Sequence, residues 1–180
     1  MIIRITMAQM MIMITIIWII VRAVTAGVTR KFSIKREFKL LLVYICLIVI
    51  ARFVYFDFPI EKGTRPTLYV VLTWTAINKV TLLPFYFLVD RYKGWLMNVI
   101  GNIVMFIPVG IVWPVCFDKL DSIKKTVLAG FGLTLFIELS QIFCDGRHTD
   151  IDDLILNTCG VVIGAVILFS IRKAKLESYY

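Results

Sequence analysis

Apolar residues in this chain come in long runs separated by short polar stretches, and five of the runs are long enough to cross a bilayer. They cover 5–21, 40–56, 95–117, 126–144 and 154–171. Each is close to the ~20 residues that carry a helix through roughly 30 Å of hydrocarbon at about 1.5 Å per residue. The pattern predicts an all-α integral membrane protein, a bundle of about five transmembrane helices forming one transmembrane domain over 1–180. The first run has a second reading: Arg4, an apolar stretch and then Val24-Thr25-Ala26 have the layout of a signal peptide with a small-residue cleavage site. Arg22, Arg30, Lys31, Lys35, Arg36 and Lys39 follow that stretch, and a segment so basic resists translocation. A first transmembrane helix is therefore expected.

A further apolar stretch, 68–89, holds Asn78 and Lys79 near its middle and Pro84 beyond them. Charge counting bears on it. With five spans, twelve Lys and Arg residues fall on one side and seven on the other; a sixth span would divide them nine to nine. The positive-inside rule then predicts five spans, with the N-terminus outside and the C-terminus cytoplasmic. In that topology 68–89 is an interfacial or re-entrant segment on the outer face.

Composition sharpens the membrane reading. Of 180 residues, 60% are hydrophobic, well above the ~45–50% of a soluble domain, and the mean hydropathy is +0.89. The formal net charge is +8, which on a soluble chain would point to nucleic acid. No zinc-finger spacing, RNA-binding signature or separate basic domain accompanies it, so no nucleic-acid partner is expected. The surplus is assigned instead to loops lying against anionic headgroups of membrane lipids. Cys46, Cys116, Cys144 and Cys159 are scattered, with no Cys-x-x-Cys pair, and read as small packing residues. No motif calls for a metal or another cofactor, and His148, a lone histidine beside aspartates, reads as solvent-facing.

The chemistry lies where polar residues interrupt the apolar runs, since an ionised group at the centre of a membrane helix costs roughly 2.5–3.5 kcal/mol on insertion scales. In the five-span topology they collect at the outer ends of the helices. Asn98 and Asn102 are one helical turn apart; Gly130, Thr134, Glu138 and Gln141 form one stripe; Asp153, Asn157, Gly160 and Gly164 form another. Arg147 and Asp150 stand between the last two runs. Together these predict a polar pocket opening to the outer leaflet, with Asn98, Asn102, Glu138, Gln141, Arg147, Asp150, Asp153 and Asn157 as candidate ligand-binding residues. A structural reading competes. Asp150, Asp152 and Asp153 suit the start of a helix, where each offsets the dipole by roughly 0.3–1 kcal/mol, Thr149 or Asp150 suits an N-cap, and Arg147 or Arg52 could pair with Glu138 or the Asp cluster. Gly160-x-x-x-Gly164 would admit a neighbouring backbone, and Pro108 removes a hydrogen bond from the third helix.

Asn102-x-x-x-Phe106-x-Pro108-x-Gly110, Glu138-x-x-Gln141 and Arg147-x-x-Asp150-x-x-Asp153-x-x-x-Asn157-x-x-Gly160 together resemble the VanZ-like family of bacterial integral membrane proteins over about 95–171. The resemblance implies a multi-pass plasma-membrane protein with a role at the cell envelope, in a family associated with resistance to teicoplanin, a lipid-bearing glycopeptide. Upstream, Leu82-Leu83-Pro84-Phe85 fits the end of the family's Arg-x-x-Asn-Leu-x-Pro-Phe element, but Asn78 and Thr81 stand where Arg and Asn are expected.

Two functional readings lead. One is a binder of an amphiphilic ligand, such as a lipid-linked cell-wall precursor, a phospholipid headgroup or the lipoglycopeptide itself. The other is a membrane-embedded enzyme acting on a lipid-linked phosphate or sugar, with Glu138 as candidate general acid or base and Asp150 and Asp153 able to hold a divalent cation near a phosphate. A transporter without internal repeats and a scaffold with a closed polar network are the remaining alternatives.

Overall fold

The computed structural model describes residues 2–29, 33–56, 66–71, 80–86 and 94–178. Among these residues are five long helices: α1 (Met7–Thr29), α2 (Ile34–Tyr55), α3 (Trp95–Cys116), α4 (Ile123–Gln141) and α5 (Ile151–Glu177). Four short strands accompany them: β1 (Ile2–Thr6), β2 (Thr67–Val71), β3 (Val80–Thr81) and β4 (Thr149–Asp150). Helices α1, α2, α3 and α5 are long and apolar enough to cross a membrane. Helix α4 has 19 residues, about 28 Å at the helical rise, and carries Lys124, Lys125 and Glu138. The chain packs as two units: one of residues 1–76 with 143–146, the other of 77–142 with 147–180.

In the first unit α1 and α2 form an antiparallel hairpin. The hydroxyls of Thr15 and Tyr44 share a hydrogen bond of 2.7 Å, Trp18 tilts against Tyr44, and Arg22 forms a two-pronged ion pair with Glu37. Helix α1 buries none of its residues within the protein, as expected of a helix whose apolar surface faces lipid. The first helix begins at Met7 rather than Ile5, because Ile2–Thr6 pairs antiparallel with Thr67–Val71. Phe143–Asp145 extends that pairing: Val71 N–H donates to Phe143 O and Asp145 N–H donates to Tyr69 O, each at 2.7 Å. Phe56, Leu68 and Cys144 make the buried centre beneath this small sheet, with Ile5, Met7 and Met10 around them. The start of 68–89 is thus strand, as is Val80–Thr81; the remainder of the expected re-entrant segment, apart from 82–86, lies outside the described residues.

In the second unit α3 and α5 run parallel, and α4 runs antiparallel to α5. The α3–α5 contact is backbone on backbone. A Cβ added to Gly160 would lie 2.2 Å from Ile103 O, one on Gly164 would lie 2.1 Å from Ile107 O, and one on Gly110 would lie 2.2 Å from Val161 O. Only glycine allows helices this close, and in lipid such packing replaces the hydrophobic drive that is missing between apolar helices. Gly130 of α4 makes room for the Val161 side chain. Helix α3 runs through Pro108 and Pro114 as one element. Among the described residues no disulfide joins the cysteines; Cys46 and Cys144 are buried and Cys159 is exposed.

Candidate functional site

The polar stripes expected on α4 and α5 are the faces that these helices bury. Gly130, Thr134, Glu138 and Gln141 are all buried on α4, and Asn157, Gly160 and Gly164 are buried on α5. They meet in two layers at the end of the bundle where α3 and α5 begin. In the deeper layer Asn157, 2% exposed, donates from Nδ2 to Thr134 Oγ1 at 2.8 Å. Asn157 Oδ1 is buried and has no hydrogen-bond partner.

One turn nearer the helix ends, Asn102 Nδ2 donates to Asp153 Oδ1 at 2.6 Å and reaches Asn98 Oδ1 at 3.4 Å. Asn98 also hydrogen-bonds Asp153. Thus the i, i+4 amide pair of α3 converges on one carboxylate of α5. Glu138, 4% exposed, accepts from the backbone N–H of Asp150 at 3.2 Å, while its own carbonyl accepts from Thr149 Oγ1 at 2.9 Å. Glu138 and Asp153 lie close enough to interact electrostatically.

The segment leading into α5 closes the site on one side. Asp150 is the N-cap of α5, its Oδ1 accepting from Asp152 N–H at 2.9 Å. Burial pushes the Asp150 carboxyl above the usual carboxylate range, against the Asp152 N–H that it accepts. Thr149–Asp150 pairs in parallel with Val80–Thr81, and the N–H of Phe85 donates to Asp152 Oδ1. Phe85 holds a left-handed backbone (φ 62°), a costly conformation for a bulky residue. Thr81 of the departing upstream motif sits in β3; Asn78 lies outside the described residues.

Some expected roles fall out differently. Glu138 is met by a backbone amide, not by Arg147: among the described residues of this unit no Lys or Arg forms an ion pair with Glu138 or Asp153. Arg147 is half-buried just before β4, and His148 is exposed. In the first unit Arg52 donates to the carbonyl of Phe56 at 3.1 Å. Asp152 was expected only to offset the helix dipole, yet it is 3% exposed and anchors the Phe85 segment. Thr134 and Thr149 also join the cluster as hydrogen-bond partners. Thr134 was legible as a member of the α4 stripe, whereas Asp152 and Thr149 gave no periodic signal. Among the described residues no group of three or more His, Cys, Asp or Glu is arranged to hold a metal ion.

Comparison with known proteins adds one finding. No curated protein and no solved structure matches the chain significantly. The profile of the VanZ/LLP1 family, however, matches residues 41–172, which include α3, α4 and every residue of the polar cluster. With most of its length matched and the polar cluster inside the match, the chain belongs to the VanZ/LLP1 family.

Proposed function

We propose that this protein is a multi-pass bacterial plasma-membrane protein, N-terminus outside and C-terminus cytoplasmic, that binds an amphiphilic or lipid-linked envelope ligand. The ligand's polar part enters the cluster of Asn98, Asn102, Glu138, Gln141, Arg147, Asp150, Asp153 and Asn157 from the outer leaflet. The observation that carries this reading is an imbalance of hydrogen-bonding groups. The donors in the cluster are already committed: Asn98 and Asn102 to Asp153, Asn157 Nδ2 to Thr134 and Asp150 N–H to Glu138. One acceptor remains, the buried Asn157 Oδ1, which has no hydrogen-bond partner. A network that served packing alone would be closed, because an unsatisfied buried acceptor costs about 1–3 kcal/mol. An open one calls for a ligand rich in donors, and sugar hydroxyls or amines meet that need. Lipid-linked wall precursors and lipoglycopeptides both carry such groups on an apolar tail, so the reading extends to lowered susceptibility to teicoplanin-type drugs.

The test compares the wild type with Glu138→Gln, which keeps size and the acceptor for Asp150 N–H but removes the charge. A sensitive Gram-positive host expressing either form at matched membrane levels is challenged with teicoplanin and vancomycin, and lipids co-purifying with each form are identified. Protection against teicoplanin alone, lost in the variant together with the bound lipid, is expected. Identical lipids and identical susceptibility in the two forms would sink the reading. One observation favours the second, enzymatic reading: Glu138 and Asp153 are interacting carboxyls in a water-poor layer, an arrangement that general acid–base chemistry uses. Conversion of a supplied lipid-linked phosphate or sugar, abolished in Glu138→Gln, would favour it over binding.

A further inference from the structure

The opposite end of the α3–α5 pair carries a feature that the proposed function leaves unused. Arg172 lies nineteen positions beyond Asp153 on α5, about 28 Å of helix, close to the thickness of the hydrocarbon core. There a cleft of about 480 Å³ opens between the last turn of α3, the α3–α4 connection and the last turns of α5. Its apolar wall includes Pro114, Val115 and Phe169, and its charged groups are Asp118, Asp121, Arg172 and Lys173.

Arg172 is held in position by groups that do not consume its charge. Its Nη2 donates to Pro114 O at 3.0 Å, one of the carbonyls that the end of α3 leaves without a partner inside the helix. Its guanidinium also lies 5.2 Å from the centroid of the Phe169 ring. Most of its five N–H donors are left for a ligand. Lys173 has its acidic neighbour Glu177 only at 3.8 Å, with both side chains largely exposed, a weak tie. Of the two aspartates, Asp121 is already neutralised by Lys125 at 2.8 Å. The charged lining groups balance beside an apolar wall, and Lys119, Lys124 and Lys175 make the same end basic.

We propose that this cleft holds the headgroup of an anionic phospholipid from the leaflet opposite the polar cluster. Arg172 and Lys173 take the phosphate, and an acyl chain lies along Val115 and Phe169. The guanidinium suits a phosphate because its planar fork matches two oxygens at once. Asp118 offers an acceptor to headgroup hydroxyls, which phosphatidylglycerol has and phosphatidylcholine lacks. This site is independent of the outer cluster, and neither reading depends on the other.

The experiment is a native mass-spectrometry titration of the purified full-length protein with phosphatidylglycerol and with phosphatidylcholine, for the wild type, Lys173→Gln and Lys175→Gln. Lys173 is exposed, so its substitution leaves the packing intact; Lys175 lies on the same turn but outside the cleft lining. The wild type is expected to prefer phosphatidylglycerol. Lys173→Gln should bind it about fivefold more weakly, the factor that roughly one basic residue at an anionic surface contributes, and Lys175→Gln should bind as the wild type does. Equal uptake of the two lipids by the wild type, an unchanged Lys173→Gln, or an equal loss in Lys175→Gln overturns the proposal.

Discussion

The stripe on α5 from Asp153 to Gly164 meets its neighbours in two different ways. At Gly160 and Gly164 it meets the backbone carbonyls of α3 with no space left over. At Asp153 and Asn157, two turns and one turn nearer the helix start, it meets amides and a hydroxyl, and the layer keeps a spare acceptor. One continuous face of one helix is thus rigid where backbone touches backbone and chemically open where side chains meet. The rigid part can hold the open part in place because packed backbones, unlike side chains, cannot change rotamer to fill a gap. A buried polar cluster with unused acceptors tends to close on itself; a glycine seam directly below it opposes that closure.

Breaking the seam is expected to have the largest effect. Gly160→Ala and Gly164→Ala each place a methyl against a carbonyl oxygen of α3, which forces the helices apart. Each should lower stability by about 1–3 kcal/mol, the usual cost of overpacking, read as a fall in thermal midpoint of the purified protein. An unchanged midpoint for both would remove the contrast between the two halves.

The polar layer can be separated from the seam by exchanges at Asn157 and Thr134. Asn157→Ala leaves the Thr134 hydroxyl buried without its partner and should cost about 1–3 kcal/mol. Replacing both partners, Asn157→Leu with Thr134→Val, removes the need for a hydrogen bond and should come close to wild-type stability. Ligand binding should nevertheless be lost in the double variant. If the double variant kept both stability and the co-purified lipid, the layer would be packing and nothing more.

The smallest effect is expected at Gly101 and Gly132, helical glycines with open space where a Cβ would go. Gly101→Ala and Gly132→Ala should leave stability unchanged or raise it by roughly 0.5–1 kcal/mol, because alanine loses less backbone freedom on forming a helix. A loss as large as that at Gly160 would mean that glycine matters here for lipid or partner contact instead of the seam.

Much of this was legible in the chain. The apolar runs mark the helices because hydrocarbon tolerates no unpaired backbone, and the period of 3.6 residues places Glu138 with Thr134 and Asn157 with Gly160 on single faces. The first helix was displaced by two residues because Ile2–Thr6 finds a partner strand more than sixty positions away, and no local pattern reports such a pairing. Asp152 looked like a residue completing a helix start, since its partner, the N–H of Phe85, is far away in sequence. Arg147 looked like the natural partner of Glu138, yet the Asp150 amide occupies that place.

The sequence by itself determined that this is a helical membrane protein, which residues share a face, and that carboxylates and amides interrupt the apolar spans. These follow from local rules: hydropathy over about twenty residues and the helical repeat. Only the tertiary structure decided that α3 and α5 run parallel with their backbones in contact, that Asn98 and Asn102 converge on Asp153, and that Glu138 accepts from a backbone N–H. Those outcomes depend on the register between helices. That register is set by which glycines meet which carbonyls across the interface, a contact between distant parts of the chain that no single helix encodes.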